Sequence, residues 1–325
     1  MERTLLKGGS LSGTYLIRDG DEVYVRKEIS LTINREFGYQ RWYSQLKRLQ
    51  RYSVMFPGIF PEILRFGSNG DTAWFDMNYI ADAVTGQEYL LNASNNAQID
   101  SFLSKLMGLF STMHEKKIPS SPHGLRLYMQ EEVERAIALC LGNAVFRDFQ
   151  QHKTIIFNGV EVAPISHKLD ELLSLAMGNY QNPTETFTHG NSTLENTLFV
   201  PKLDRLFFID PYEETIVDSV FGEYSQILQS SNSYYESYNS LPAVVKGNTV
   251  AIELERSANL DYFNEQFLRQ IRQKCSDSEL IVTRIFEISQ FTRMLPFKMA
   301  VAPDKLIFFY SLASYLFQEL QNDLK

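Results

Sequence analysis

Two amides and a carboxylate in the second half of the chain have the types and spacing that chemistry needs. Thr188-His189-Gly190-Asn191-Ser192-Thr193-Leu194-Glu195-Asn196 is a polar loop, and the apolar run that follows closes in Phe208-Ile209-Asp210-Pro211. Position 191 holds an amide where such a loop could equally hold a carboxylate. Asn196 offers an amide oxygen five residues later, and Asp210 ends the next strand in a carboxylate. An amide oxygen and a carboxylate at neighbouring hairpin ends are hard oxygen ligands of the kind Mg²⁺ accepts beside substrate phosphates. Phosphoryl transfer draws on such a set, with cations to neutralise developing charge and one residue to orient the nucleophile. The other histidines, His114, His123, His152 and His167, read as capping, packing or solvent-facing groups, and no metal role is drawn from them.

These groups need a hairpin to hold them. Thr197-Leu198-Phe199-Val200 and Leu206-Phe207-Phe208-Ile209 read as its two strands, joined by residues 201–205. Upstream, the first 80 residues read as a small α+β lobe of five strands and one helix. Residues 8–14 form a Gly/Ser loop, Tyr15 to Arg18 and Glu22 to Lys27 are strands around the turn Asp19-Gly20-Asp21, and 63–67 and 72–80 make a second pair. Between them, Asn34 is a candidate N-cap for a helix with Phe37, Trp42, Leu46 and Leu49 at approximately helical spacing. Beyond residue 81 the chain reads as mostly helical, over 97–117, 126–149, 166–178 and from about 218 onward. Breaks are expected near Ser240-Leu241-Pro242, Ser276-Asp277-Ser278 and Pro303. Asn158-Gly159, between Thr154–Phe157 and Val160–Val162, is a strong hairpin signal.

Composition narrows the class. A chain of 325 residues is long enough for two lobes with separate cores. With 44% hydrophobic and 22% charged residues it reads as a soluble globular protein. A net charge of -8 argues against a general nucleic-acid binder, whose footprint would be basic. Arg41, Lys47, Arg48 and Arg51 read as one solvated helix face. Cys140 and Cys275 stand far apart with no CxxC, which suggests neither a zinc site nor a disulfide framework. The N-terminus lacks the apolar stretch of a signal peptide, and no apolar run approaches the roughly 18 residues of a membrane span. A cytoplasmic location is expected.

The loop and hairpin resemble the aminoglycoside phosphotransferase and choline kinase-like family, whose signature is His-Gly-Asp, four residues, Asn, then a strand closing in Ile-Asp. The match covers His189, Gly190, Asn196, Ile209 and Asp210. Glu223 to Ser230 and the pair Tyr235-Glu236 are similar to the family's following helix. The resemblance implies an α+β, bilobal protein-kinase-like fold. Residues 1–80 would form a mainly antiparallel nucleotide-binding lobe with one helix, and 81–325 a larger helical lobe with the catalytic loop, metal site and acceptor site. It implies ATP and Mg²⁺ as cofactors, with Asn196 and Asp210 as metal ligands. His189 would hold the catalytic loop and position 191 would act on the acceptor hydroxyl. Lys27 is the candidate for the phosphate-binding strand lysine, Arg26 the alternative if the register slips by one, and Glu36 the lysine's helix partner. Gly9, Ser10, Ser12 and Gly13, with Gly8, would cover the phosphates. Met77, Asn78 and Ile80 would meet the adenine. The implied activity is transfer of the γ-phosphate to a hydroxyl of a small molecule such as a sugar, a surface-polysaccharide precursor, an amino alcohol or an aminoglycoside. That acceptor would lie against the segment between residue 81 and His189 and the C-terminal helices.

Position 191 departs from the family. Asparagine is nearly isosteric with aspartate but takes no proton at any relevant pH. Three readings stand: a residue introduced to trap a substrate complex, a natural nucleotide-binding pseudokinase with a regulatory role, or replacement by another carboxylate among Glu195, Glu213 and Glu214.

Overall fold

The structure, a computed structural model, describes residues 1–8, 12–32, 35–181, 183–212 and 215–325, with the side chains of 7, 8 and 35–37 left out. It divides into two compact units. The first comprises residues 1–92, 104–113 and 189–215, and the second 93–103, 114–188 and 216–325.

The first unit is built on β1 (Glu2–Gly8), β2 (Ser12–Asp19), β3 (Glu22–Ser30), β4 (Ile63–Ser68) and β5 (Thr72–Asn78), with α1 (Arg35–Met55) between β3 and β4. All four pairings are antiparallel, in the order β1-β2-β3-β5-β4, so the expected five strands and one helix are present. Gly20, at a φ of 61°, takes the left-handed position in the tight β2–β3 turn, which favours a residue without Cβ. Trp42, Leu46 and Leu49 of α1 are buried, as are Val25 and Ile29 of β3 and Ala73, Phe75 and Met77 of β5. A second sheet joins β6 (Val84–Thr85), followed by α2 (Gly86–Leu91), to the later hairpin β11 (Thr197–Val200) and β12 (Arg205–Phe208), in the order β12-β11-β6.

The helix α3 (Asn96–Met113) bears out the apolar run read over 97–117. In the second unit, β7 (Ile118–Pro119) pairs with β10 (Thr184–Glu185). The helix expected over 126–149 is in fact broken. It runs as α4 (Pro122–Met129), a π-helical turn over Gln130–Arg135 and α5 (Ala136–Cys140), then restarts as α6 (Ala144–Gln150). Asn143 caps α6, its side chain accepting from Phe146 N at 3.0 Å, an interaction that favours a helix start over helix continuation. The hairpin β8 (Ile155–Phe157) and β9 (Val160–Val162) turns at Asn158 (φ 45°) and Gly159 (φ 85°), as the sequence predicts. Then come α7 (Leu169–Asn179), α8 (Val220–Ser231) and α9 (Tyr235–Ser240).

A further hairpin, β13 (Val244–Lys246) and β14 (Thr249–Ala251), interrupts the region read as helical. β14 lies parallel to β8, completing a four-stranded sheet in the order β13-β14-β8-β9. The chain closes with α10 (Ala258–Arg272), α11 (Asp277–Arg293), α12 (Leu295–Val301) and α13 (Pro303–Asp323). The break at Ser276 is a capping box with Glu279, and Pro303 opens α13, where its missing N–H is no loss. Phe286, Phe291, Phe308, Phe309 and Tyr310 are core residues of this unit. No described helix is long and apolar enough to cross a membrane.

Candidate active site

The loop 189–196 and the β11–β12 hairpin lie in the first unit, together with the N-terminal sheet. His189 is fully buried, with its ring near Phe60 and Phe208 at centroid distances of 5.9 and 5.1 Å. Its Nε2 lies 2.9 Å from the carbonyl of Ile209, and its Nδ1 accepts from the backbone N–H of Asn191 at 3.2 Å. A carbonyl only accepts, so Nε2 carries the proton and both ring nitrogens are engaged. The histidine thus ties the loop to the end of the hairpin. A further bond, Tyr212 N–H to His189 C=O at 2.9 Å, closes the same link. Gly190 has a φ of 74°, and a Cβ there would come 2.9 Å from Thr215 Cγ2 and 3.1 Å from Tyr212 Cβ. Glycine is therefore required for both conformation and space.

Asn196 is anchored through its amide nitrogen, which donates to the carbonyl of Asn191 at 2.8 Å. Its own carbonyl accepts from Ile209 N–H at 2.9 Å, and its side-chain oxygen accepts no hydrogen bond among the described residues. Asp210 follows the strand β12 in a left-handed conformation at a φ of 60°. One carboxylate oxygen, Oδ1, accepts from both Lys27 Nζ and Gln45 Nε2, the latter at 3.0 Å. The other, Oδ2, accepts no hydrogen bond among the described residues. Burial opposes ionisation of Asp210, but the charge and hydrogen bond of Lys27, aided by Arg41, hold its carboxyl below the ordinary aspartate range. Two uncommitted oxygens, one amide and one ionised carboxylate, are the donor set a hard divalent cation prefers. The residues present therefore fit Mg²⁺. Among the described residues no three His, Cys, Asp or Glu side chains form a separate metal cluster.

Lys27 and Arg26 separate by register. On β3, Arg26 stands opposite Asp76 and Lys27 opposite Phe75. Arg26 donates to the fully buried Asp76 at 2.6 and 2.8 Å, and Arg65 donates to the same carboxylate at 2.6 Å. Lys27, on the other face, is the cation brought to Asp210. Ser12 and Gly13 open β2, with Gly13 opposite Gly8 and Glu28. Gly9, Ser10 and the side chain of Glu36 lie outside the described residues, as do Asn34, Glu213 and Glu214. Met77 and Asn78 end β5, where Asn78 N–H donates to Glu62 C=O at 3.1 Å. Ile80, two residues on, makes no hydrogen bond among the described residues. The side chain of Asn191 is likewise uncommitted among them.

No family profile and no curated sequence matches the chain. Solved structures do match, among them the following two. The GDP complex of a point mutant of aminoglycoside 2′-phosphotransferase-IIIa superposes with a TM-score of 0.61, covering 99% of this chain and 92% of that one at 11% identity. A protein assigned as a fructosamine-3-kinase from Haemophilus somnus 129PT gives 0.58, over 97% and 91%, also at 11% identity. The fold is protein-kinase-like. At this identity the likeness is one of architecture, and it carries the α+β class expected from the sequence.

Within this protein-kinase-like fold, two site neighbours escape the sequence reading. Gln45 Nε2 donates to Pro211 C=O at 3.0 Å as well as to Asp210. Arg48 NH1 donates to Tyr212 C=O at 2.9 Å, and NH2 donates to Tyr52 at 3.1 Å. Arg48 is therefore not part of a solvated face: it is buried, because the backbone carbonyl and the Tyr52 hydroxyl replace its water. A signal exists, since positions 41, 45, 48 and 52 carry polar groups at helical spacing and form a stripe down one side of α1.

Proposed function

We propose that this chain is an ATP-dependent phosphotransferase scaffold that binds nucleotide with Mg²⁺ and acts on a hydroxyl of a small molecule. The observation that carries this reading is the convergence on Asp210. A strand lysine meets one carboxylate oxygen while the other, and the amide oxygen of Asn196, stay available to a cation. In this reading Lys27 binds the phosphates, and Asn196 and Asp210 hold Mg²⁺, which when bound neutralises charge on the transferred phosphoryl group. Gly9, Ser10, Ser12 and Gly13 cover the phosphates, and Met77, Asn78 and the open backbone of Ile80 receive the base. Glu36 serves as a further partner for Lys27. His189 fixes the loop so that residue 191 faces the acceptor hydroxyl. Residues 1–80 form the nucleotide lobe and 81–325 the catalytic and acceptor lobe of a cytoplasmic protein. The GDP bound to one of the similar solved structures, and the kinase activities named for both, support nucleotide binding and small-molecule phosphorylation as the frame.

Asn191 orients a hydroxyl through its amide oxygen but accepts no proton. General-base assistance contributes about 10²- to 10⁴-fold, while positioning and electrostatics supply most of phosphoryl-transfer catalysis. Calorimetry with MgATP, run beside a phosphotransfer assay of the native chain and Asn191→Asp, tests the reading. Equal binding by both, and turnover raised at least about 10²-fold by the aspartate, is the expected result. The amide at 191 favours one second reading, a nucleotide-binding pseudokinase with a regulatory role. Tight binding with no turnover in either form would select it, and no nucleotide binding by either would end both readings.

A further inference from the structure

We infer that Gln45 is a positioning residue for the metal carboxylate, using both hydrogens of its amide to set which oxygen of Asp210 faces the cation. The inference rests on the Mg²⁺-nucleotide reading above. One amide hydrogen goes to Asp210 Oδ1 at 3.0 Å and the other to the carbonyl of Pro211 at 3.0 Å. A single nitrogen thus grips the side chain of residue 210 and the backbone of the next residue. A carboxylic acid at position 45 would offer neither bond when ionised, since a carboxylate only accepts. Position 45 therefore calls for an amide rather than an acid.

The rest of the neighbourhood is consistent with this. Arg48, one turn further along α1, holds the carbonyl of Tyr212 in the same way, so the helix grips three successive residues through donors alone. Gln45 is buried, which fixes its side chain and strengthens its bond to an ionised acceptor. With Lys27 and Gln45 both on Oδ1, that oxygen is held from two sides, and Oδ2 accepts no hydrogen bond among the described residues. Removing Gln45 leaves Lys27 as a single point contact about which the carboxylate swivels. The predicted defect lies in cation binding and not in contact with the nucleotide itself.

The test uses the full-length chain, a fluorescent ATP analogue, and Mg²⁺ titrated from zero to saturation at pH 7. Gln45→Met keeps length and volume while removing both donors, and Gln45→Ala covers the case in which methionine is not accommodated. Circular dichroism and the Mg²⁺-free melting temperature establish that the variants fold. A hydrogen bond to an ionised acceptor shifts an equilibrium by about ten- to a hundredfold. The Mg²⁺ concentration for half-maximal binding should therefore rise at least about tenfold, with Mg²⁺-free affinity unchanged. An unchanged Mg²⁺ requirement in folded variants overturns the inference, as does a loss of affinity of equal size with and without Mg²⁺, which marks a structural role. Failure of the native chain to bind the analogue at any Mg²⁺ concentration instead removes the nucleotide reading itself.

Discussion

At the scale of single residues, the pair Lys27–Asp210 links charge to stability. The folded-state pKa of Asp210 lies below its unfolded value, so the folded chain binds fewer protons there. Its stabilisation is complete above the unfolded value near pH 4 and is lost as pH falls through the folded value. Lys27→Met removes the cation that holds the carboxyl down, so its value rises. Urea unfolding of both chains between pH 3 and 7 should show the native chain's advantage at pH 7, shrinking as acidification passes through the variant's carboxyl value and on toward the lowered native one. A gap that stays constant over the whole range would contradict the ionic origin. His189, Asn196 and Asp210 stood out in the sequence by type and fixed offset, and hydrogen bonds tie their loop to the end of the hairpin. Gln45 and Arg48 left only a polar stripe along α1, and such a stripe looks the same whether it meets water or a carbonyl. Only the packing of α1 distinguishes the two cases.

At the scale of elements, local signals were read well where the chemistry is local. Asn158-Gly159 specifies a two-residue turn whose positive φ values both residues tolerate. Ser276 and Glu279 cap α11 reciprocally, with Ser276 N–H donating to the Glu279 carboxylate at 2.7 Å. Ser276→Ala should cost about 1 kcal/mol, seen as a lower urea midpoint at unchanged slope. The hairpin β13–β14 was missed although Val244-Val245 and Thr249-Val250 flank Gly247-Asn248. Its strands are three residues each and gain their place by pairing β14 with β8, more than ninety residues away in sequence. Short strands of that kind are fixed by partners and not by propensity. The π-helical turn at 130–135 is similar: its residues read as ordinary helix, and nothing in their types marks the wider winding.

At the scale of the molecule, each unit has its own ledger of buried apolar groups. In the second, Phe308 is fully buried, with ring centroids of Phe157, Tyr238 and Phe309 at 5.2, 4.9 and 5.6 Å. Phe308→Ala should destabilise that unit by about 3–5 kcal/mol, measured by urea unfolding followed through near-ultraviolet circular dichroism. In the first, residues 104–113 and 189–215 return to pack with the N-terminal 92. No shift in composition announces such a return, because it depends on where distant segments meet. The left-handed backbone at Asp210 has one further bearing. Most side chains are strained in that conformation, whereas glycine and asparagine accept it as readily as aspartate does. The backbone conformation alone therefore does not call for an acid at position 210; what a neutral residue there would lose is the ion pair with Lys27.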